Sequence, residues 1–149
     1  MASVGNTSGY AGDVTPVQAW ELLKHDPKAQ LVDVRTLAEW AFVGVPELSG
    51  LGRPLHKVEW QLFPDMSLNP EFVRHVAEQL QNSGADADAP VLFLCRSGGR
   101  SRAAAVAMTA AGFKRAFNIS GGFEGDMDVA GHRGTVGGWK AANLPWRQG

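Results

Sequence analysis

The 149-residue chain is poor in the features that mark several large classes of protein. It contains one cysteine, Cys95, so an intramolecular disulfide and a four-cysteine zinc site are both excluded by counting. Its apolar runs all fall short of the ~18 residues that a membrane-spanning helix needs. Its first residues lack the basic and apolar regions of a secretory signal peptide. We therefore expect a cytoplasmic location, a reducing compartment in which a lone thiol persists.

An excess of charge of one sign is also lacking, because 14 Lys and Arg face 15 Asp and Glu, for a net charge of −1. The chain has no polybasic run, which argues against nucleic acid and against a membrane surface as partners. The charges are nevertheless unevenly distributed. Residues 1–90 carry 6 basic and 12 acidic side chains, whereas residues 91–149 carry 8 and 3. The basic C-terminal part predicts an anionic ligand there.

Glycine, by contrast, is abundant, with 18 residues in the chain, well above the average of ~7%. That surplus indicates backbone conformations that other residues avoid. The length fits one domain, and 44% apolar residues can form a core without disulfides or metals. We predict a flexible N-terminal tail over residues 1–13 and a single domain over residues 14–149.

Patterns typical of helices and of strands alternate along the chain. A capping residue followed by proline predicts helix starts at Thr15-Pro16 and Asn69-Pro70. Apolar runs predict strands, and other patterns predict further helices. The strands are expected over 30–34, 56–60, 91–94 and 115–119, and the further helices over 36–43, 101–111 and 137–142. Strands alternating with helices favour an α/β fold with a mostly parallel sheet.

The most informative segment joins a buried strand to a helix through a glycine-rich loop that begins at Cys95. The apolar run over 91–94 is typical of a strand buried on both faces, and ligands bind at the carboxyl edge of such sheets. Gly98 and Gly99 can adopt positive φ angles, which lets successive backbone N–H groups point inward. Together with the start of the next helix they predict an anion cradle. Three arginines add positive charge to it: Arg96, Arg100 and Arg102.

Cys95 lies within the positive field of this loop. A helix N-terminus and nearby cations favour the thiolate form of a cysteine, and the thiolate is the nucleophile. The alternative is that Cys95 is a small buried apolar residue at a strand end. The Gly-Gly-Arg loop at a strand–helix junction favours the functional interpretation over the structural one.

The same residues resemble the rhodanese family. The segment 94–101 is similar to the six-residue active-site loop of single-domain thiosulfate sulfurtransferases. Residues 31–35, followed by Glu39-Trp40, resemble the Asp-Val-Arg signature of the family, and residues 118–123 resemble its late Gly-Gly segment. These matches lie in the family's order and span most of residues 14–146. Where the family usually carries Gly-His, this chain has Gly44-Val45, which indicates a distinct subgroup.

The resemblance implies a five-stranded, mostly parallel sheet flanked by helices on both faces, with Cys95 carrying a persulfide. It implies that Cys95 takes a sulfane sulfur from a small anionic donor such as thiosulfate and passes it to cyanide, a thiol or a partner protein. No cofactor and no metal are expected. Backbone N–H groups would hold the donor, with Arg96 and Arg100 attracting it. The expected cradle consists of Arg96, Ser97, Gly98, Gly99, Arg100 and Ser101.

Two other functions stay open from the sequence. Cysteine-dependent phosphatases need five residues between Cys and Arg, whereas four residues separate Cys95 from Arg100 and six separate it from Arg102. The narrower loop suits a sulfur atom better than a phosphate group. A persulfide carrier or a regulatory binding module, without turnover of its own, would carry the same loop and cannot be separated from an enzyme by sequence.

Residues outside the loop supply weaker candidates. Asp33, and with it Arg35, follows a strand that should end at the same edge as Cys95, so Asp33 could support the loop by pairing with one of its arginines. The polar stretch 125–138 departs from the family pattern and could act as a lid. His132 and Arg133 would then reach the mouth of the site. Asp126, Asp128 and His132 form too scattered a set to predict a metal site.

Overall fold

Helix capping begins one helix at Thr15, as the sequence indicates, and a second at Thr36. The helix predicted to open at Asn69-Pro70 instead begins at Phe72, without a side-chain capping bond from Glu71. In the computed structural model, which describes residues 9–148, the Thr15 hydroxyl accepts a hydrogen bond from the Gln18 amide, and the Gln18 side chain accepts one from the Thr15 amide. Thr36 and Glu39 form the same reciprocal pair at the next helix. Each pair satisfies two amide groups that the first helical turn leaves without partners.

The elements are short, and within residues 9–148 they include five strands of two or three residues that the sequence patterns did not predict. The helices are α1 (Pro16–His25), α2 (Leu37–Phe42), α3 (Phe72–Asn82), α4 (Gly99–Ala110) and α5 (Gly138–Ala141). The strands are β1 (Gly12–Val14), β2 (Gln30–Asp33), β3 (Val45–Pro46), β4 (Leu55–Lys57), β5 (Gln61–Leu62), β6 (Ser67–Leu68), β7 (Val91–Leu94), β8 (Ala116–Ile119) and β9 (Trp146–Arg147).

Five of these strands form one sheet in the order β1-β8-β7-β2-β4, and each neighbouring pair is parallel. The registers pair Leu31 with Leu92 and Leu92 with Phe117 across the centre. Because all five strands run in one direction, their carboxyl ends meet at one edge. The predicted α/β fold with a five-stranded parallel sheet is confirmed.

The core lies on both faces of this sheet. Side chains alternate between faces along a strand, so Val32 and Phe93 pack on one face with residues of α3 and α4. Leu31 and Leu92 pack on the other face with residues of α1 and α5, among them the fully buried Trp139. Two layers of helices therefore hold the sheet edge in place. Among residues 9–148, no helix has both the length and the apolar character to cross a membrane.

The structure corrects several boundaries. Residues 1–8 of the predicted tail lie outside the described residues, but Tyr10 is buried and β1 pairs with β8, so the end of that segment belongs to the domain. The strand expected over 56–60 ends at Lys57, and a hairpin of β5 and β6 follows it. These elements are two or three residues long, and so short a segment carries too few residues for an apolar period to be recognised.

Candidate active site

Cys95 lies between the end of β7 and the start of α4, at the centre of the carboxyl edge. The residue is buried, with 2% of its surface exposed. Gly98 has a φ of +119°, which turns its backbone N–H back towards the cysteine, and this N–H donates to Sγ at 3.1 Å. The sulfur therefore faces the positive end of α4, where the first N–H groups of the helix lack helical partners.

A serine and an asparagine extend the contacts of this sulfur. Ser101 is fully buried in the first turns of α4, and its Oγ lies 3.2 Å from Sγ. The same Oγ lies 2.5 Å from Oδ1 of Asn118, a buried residue on the adjacent β8. Asn118 lies in the 118–123 segment that resembles the family, but the sequence alone did not indicate a role for it. Its polar side chain in an otherwise apolar strand was the signal that could have identified it.

Arg100 is held by an acid on a neighbouring helix. Its guanidinium donates to both carboxylate oxygens of Glu39, at 2.7 and 3.0 Å, in a partly buried pair. Burial alone raises the pKa of Glu39, but hydrogen bonds from Arg100 and from Thr36 outweigh burial and lower this pKa to about 2. Burial lowers the pKa of Arg100, and its bonds with Glu39 more than compensate, so this pKa is raised overall. The pair therefore ties the Cys95 loop to α2.

The Glu39 pair predicts a stability loss in acid. The pKa of Glu39 falls from 4.5 to about 2 on folding, so its contribution is present above pH ~4.5 and disappears as the pH falls towards ~2. We expect Glu39→Gln to lower the free energy of unfolding at neutral pH by about 1–3 kcal/mol. Urea unfolding at neutral pH and near pH ~2 measures this difference.

The matched control is Glu71→Gln, because Glu71 forms an exposed pair with Arg74 on α3. Exposed pairs contribute little, so this variant should unfold like the wild type at both pH values. Equal losses in the two variants, or a Glu39→Gln loss that persists in acid, would contradict the role of the Glu39 pair.

The late Gly-Gly segment forms the floor of the loop. The Phe123 amide donates to the Cys95 carbonyl at 2.8 Å, and the Glu124 and Gly125 amides donate to the Arg96 carbonyl at 2.9 and 3.2 Å. Gly122 has a φ of +60°, and a Cβ on it would lie 2.4 Å from the Cys95 carbonyl oxygen. The segment after β8 thus fixes the backbone that carries Cys95, and only glycine fits at Gly122.

Asp33 bonds a different arginine from those that the sequence analysis considered. It accepts from Arg35 in a fully buried pair, with a shortest distance of 2.6 Å, and none of its side-chain hydrogen bonds in residues 9–148 involves a loop arginine. Arg35 also donates to the Gly44 carbonyl and stacks over the Phe123 ring at 4.3 Å. Asp33 therefore supports the floor of the site through Arg35 and Phe123, and it makes no hydrogen bond with a loop arginine in the described residues.

The 125–138 stretch is a loop folded around Asp128. The carboxylate of Asp128 accepts from the Ala130 and His132 amides and from the Thr135 hydroxyl. The Arg133 guanidinium donates to the Gly125 carbonyl at 2.7 Å. His132 and Arg133 thus bond within their own loop, and no side-chain bond of theirs in the described residues reaches Cys95. A role at the mouth of the site stays a prediction.

The exposed cation of the loop is Arg96. Its side chain is exposed and makes no ion pair within residues 9–148, whereas Arg100 is occupied by Glu39. Ser97 is half-buried beside it, and Gly99 is exposed at the start of α4. Arg96 is therefore the loop arginine whose charge stays unpaired in the part of the chain that the structure describes.

Comparisons with known proteins agree with this architecture. A family model described as the STR4 middle domain matches residues 11–149. The crystal structure of Rv0390 from M. tuberculosis is 50% identical, with a TM-score of 0.83, and the match covers 94% of this chain and 99% of that chain.

More distant solved structures share the fold. The polysulfide-sulfur transferase homodimer of Wolinella succinogenes is 20% identical, with a TM-score of 0.58, over 98% of this chain and 83% of that chain. The rhodanese-like domain of the Anabaena sp. protein Alr3790 is 15% identical, with a TM-score of 0.52, over 91% and 78%. The predicted rhodanese-like fold is confirmed.

Proposed function

The chain belongs to the STR4 middle domain family, and we propose that it is a sulfurtransferase that carries a sulfane sulfur as a persulfide on Cys95. The observation that carries this proposal is the contact of Sγ with the Gly98 N–H at the start of α4. That arrangement stabilises negative charge on a sulfur at this position. The family match and the fold agree with it.

In the first half-reaction the Cys95 thiolate attacks the sulfane sulfur of thiosulfate. A bond forms between Sγ and this sulfur, the bond to the sulfite group breaks, and sulfite leaves with the electron pair. The negative charge that remains on the outer persulfide sulfur faces the cradle of Arg96, Ser97, Gly98, Gly99, Arg100 and Ser101. In the second half-reaction a nucleophile takes the outer sulfur, and the Cys95 thiolate leaves with the electron pair.

Arg96 is the residue that we assign to donor attraction, because its charge is exposed and unpaired within residues 9–148. Arg96→Ala should lower kcat/KM for thiosulfate by about three- to fivefold, mainly through KM, since exposed ion pairs contribute modestly. The matched control is Arg115→Ala, which removes an exposed arginine next to the opposite, amino-terminal end of β8. Steady-state kinetics at low and high salt measure the effect, which should shrink in high salt. An equal loss in both variants would contradict the assignment.

We further propose that the acceptor is a protein thiol. Large apolar side chains are exposed in three segments after the carboxyl ends of β2, β4 and β8. Glu59 joins two of these segments by accepting from the Leu37 and Phe63 amides. Exposed apolar side chains on segments that follow the same sheet edge as Cys95 support a protein-binding region at that edge. The exposed side chains are Leu37, Phe42, Phe63, Met66, Leu68, Met127, Val129 and Val136.

Turnover separates the enzyme from a carrier that only holds sulfur. A sulfurtransferase should form thiocyanate from thiosulfate and cyanide over many cycles, with a rate proportional to protein concentration. A carrier would release one sulfur for each Cys95 and stop. A parallel assay with an aryl phosphate addresses the phosphatase alternative, and phosphate release that requires Cys95 would replace the proposal.

We expect a cytoplasmic location, because a working Cys95 thiol needs a reducing compartment.

A further inference from the structure

We propose that Asn118 and Asp13 are positioning residues that aim the Ser101 hydroxyl away from Cys95 and so withhold a hydrogen bond from its thiolate. The inference concerns the same sulfur as the proposed function and adds a control on its reactivity. It rests on a line of hydrogen bonds that runs from Sγ across β8 to β1.

The line has four members at bonding distance. Sγ of Cys95 lies 3.2 Å from the Ser101 Oγ, and this Oγ lies 2.5 Å from the Asn118 Oδ1. The other end of the amide, Nδ2, lies 3.0 Å from Oδ1 of Asp13 on the edge strand β1. The same carboxylate oxygen accepts from the Tyr10 hydroxyl at 2.8 Å. The line therefore begins at a buried sulfur and ends at a partly exposed carboxylate.

Donor and acceptor chemistry fixes the direction of each bond. An ionised carboxylate only accepts hydrogen bonds, so the group of Asn118 that faces Asp13 must be its NH2. The oxygen of the amide then faces Ser101, and an amide oxygen also only accepts. The single proton of the Ser101 hydroxyl is therefore drawn to Asn118, at the shorter of its two distances. A lone pair of Oγ is left facing Sγ.

A lone pair at this position favours a sulfur that carries a proton, because the S–H group can donate to Oγ. Loss of that proton to solvent leaves a thiolate, which needs donors. The Ser101 hydroxyl must then rotate towards Sγ, and the buried Asn118 oxygen loses its donor, which costs free energy. The Asp13–Asn118 pair therefore opposes thiolate formation, while the Gly98 N–H and the α4 terminus favour it.

The other charged groups near the sulfur belong to several elements. They are Arg96 of the loop, Arg100 and Arg102 of α4, Glu39 of α2, Asp33 at the end of β2, Arg35 just after it and Asp13 of β1. Replacing Asn118 with leucine, which is similar in size and apolar, changes none of these charges. Any shift in Cys95 ionisation in Asn118→Leu then reports the hydrogen-bond line.

The test is a titration of the ultraviolet thiolate absorbance, with the Cys95→Ser trace subtracted. Cys95 is the only cysteine of the chain, so the difference reports one sulfur. We expect Asn118→Leu to move the midpoint to lower pH, raising the thiolate fraction below the midpoint by about three- to tenfold. The rate of iodoacetamide alkylation in the same pH range should rise by the same factor. An unchanged midpoint, or a rise, would overturn the proposal.

A double-mutant cycle separates this effect from a general disturbance of the site. In a Ser101→Ala background Asn118→Leu should leave the midpoint unchanged, because no hydroxyl remains to be aimed. Thr109→Val is the matched control for hydroxyl loss on α4, since Thr109 bonds the Ala105 carbonyl within its own helix. A midpoint shift of the same size in both backgrounds would overturn the proposal.

A second variant keeps the test decisive if Asn118→Leu does not fold. The asparagine side chain in Asp13→Asn can both donate and accept, so it can bond either the NH2 or the oxygen of the Asn118 amide. The Asn118 amide can then turn its NH2 towards Ser101, which leaves the Ser101 hydroxyl free to donate to Sγ. It also removes a negative charge, and the Ser101→Ala background measures that charge effect alone. We expect a larger fall of the midpoint with Ser101 present than without it, and equal falls would contradict the inference. The absorbance titration and the iodoacetamide alkylation both proceed without a sulfur donor, so the inference and the proposed function can fail separately.

Discussion

Replacing Cys95 with serine is expected to abolish sulfur loading from thiosulfate. The wild-type chain should gain one sulfur atom, detected by intact mass, and lose it on addition of cyanide. Serine keeps the shape of the side chain and a hydrogen-bonding group, but its hydroxyl is a poor nucleophile without an adjacent base. Because Cys95 is the only thiol of the chain, no second residue can take over the reaction.

The control for this experiment is Ser67→Ala, which removes an exposed hydroxyl of β6 that bonds Asp65 and lies outside the site. It should load sulfur to the same final extent as the wild type. Loading of the Cys95→Ser variant would refute a persulfide at Cys95. Absence of loading in the wild type would direct the search to other sulfane donors, and failure with polysulfide as well would count against the sulfurtransferase.

The sequence predicted the parts of the molecule that depend on local patterns. The apolar run over 91–94, the glycines after Cys95 and the capping pair at Thr15 each act within a few residues. Local patterns of this kind determine where a strand ends and where a helix begins. The expected position of Cys95, at a strand–helix junction in a parallel sheet, agrees with the structure for that reason.

The partners of the loop residues could not be predicted, because they are distant in sequence. Glu39 and Arg100 are 61 positions apart, and Asn118 and Asp13 are 105 apart. Asp33 was expected to pair with one of the loop arginines, and the structure pairs it with Arg35, two positions away. Charge types and strand order narrow the choice of partner, but packing decides which pairs form.

Gly122→Ala is expected to destabilise the domain strongly and to slow sulfur loading. A Cβ at Gly122 would lie 2.4 Å from the Cys95 carbonyl oxygen and 2.6 Å from the Arg96 carbonyl carbon. Relief of this clash must move the loop backbone, because the φ of +60° also disfavours alanine. We expect a loss of about 2–4 kcal/mol in the free energy of unfolding. Loading should slow by about 10- to 100-fold, since small displacements of a nucleophile are costly.

Gly131→Ala provides the matched control, because Gly131 has a φ of +81° but nothing within 4 Å of the added Cβ. The backbone strain alone should lower the free energy of unfolding of this variant by about 1–2 kcal/mol. The variant should load sulfur at the wild-type rate. Urea unfolding and the time course of the intact mass give both quantities. If the two variants lost equal stability and loaded equally fast, the segment after β8 would not be what fixes the Cys95 backbone. A loss of stability and of loading rate in Gly122→Ala alone would establish that the geometry of the nucleophile depends on its contact with the segment after β8. The residue that makes this contact lies 27 positions after Cys95 and carries no side chain.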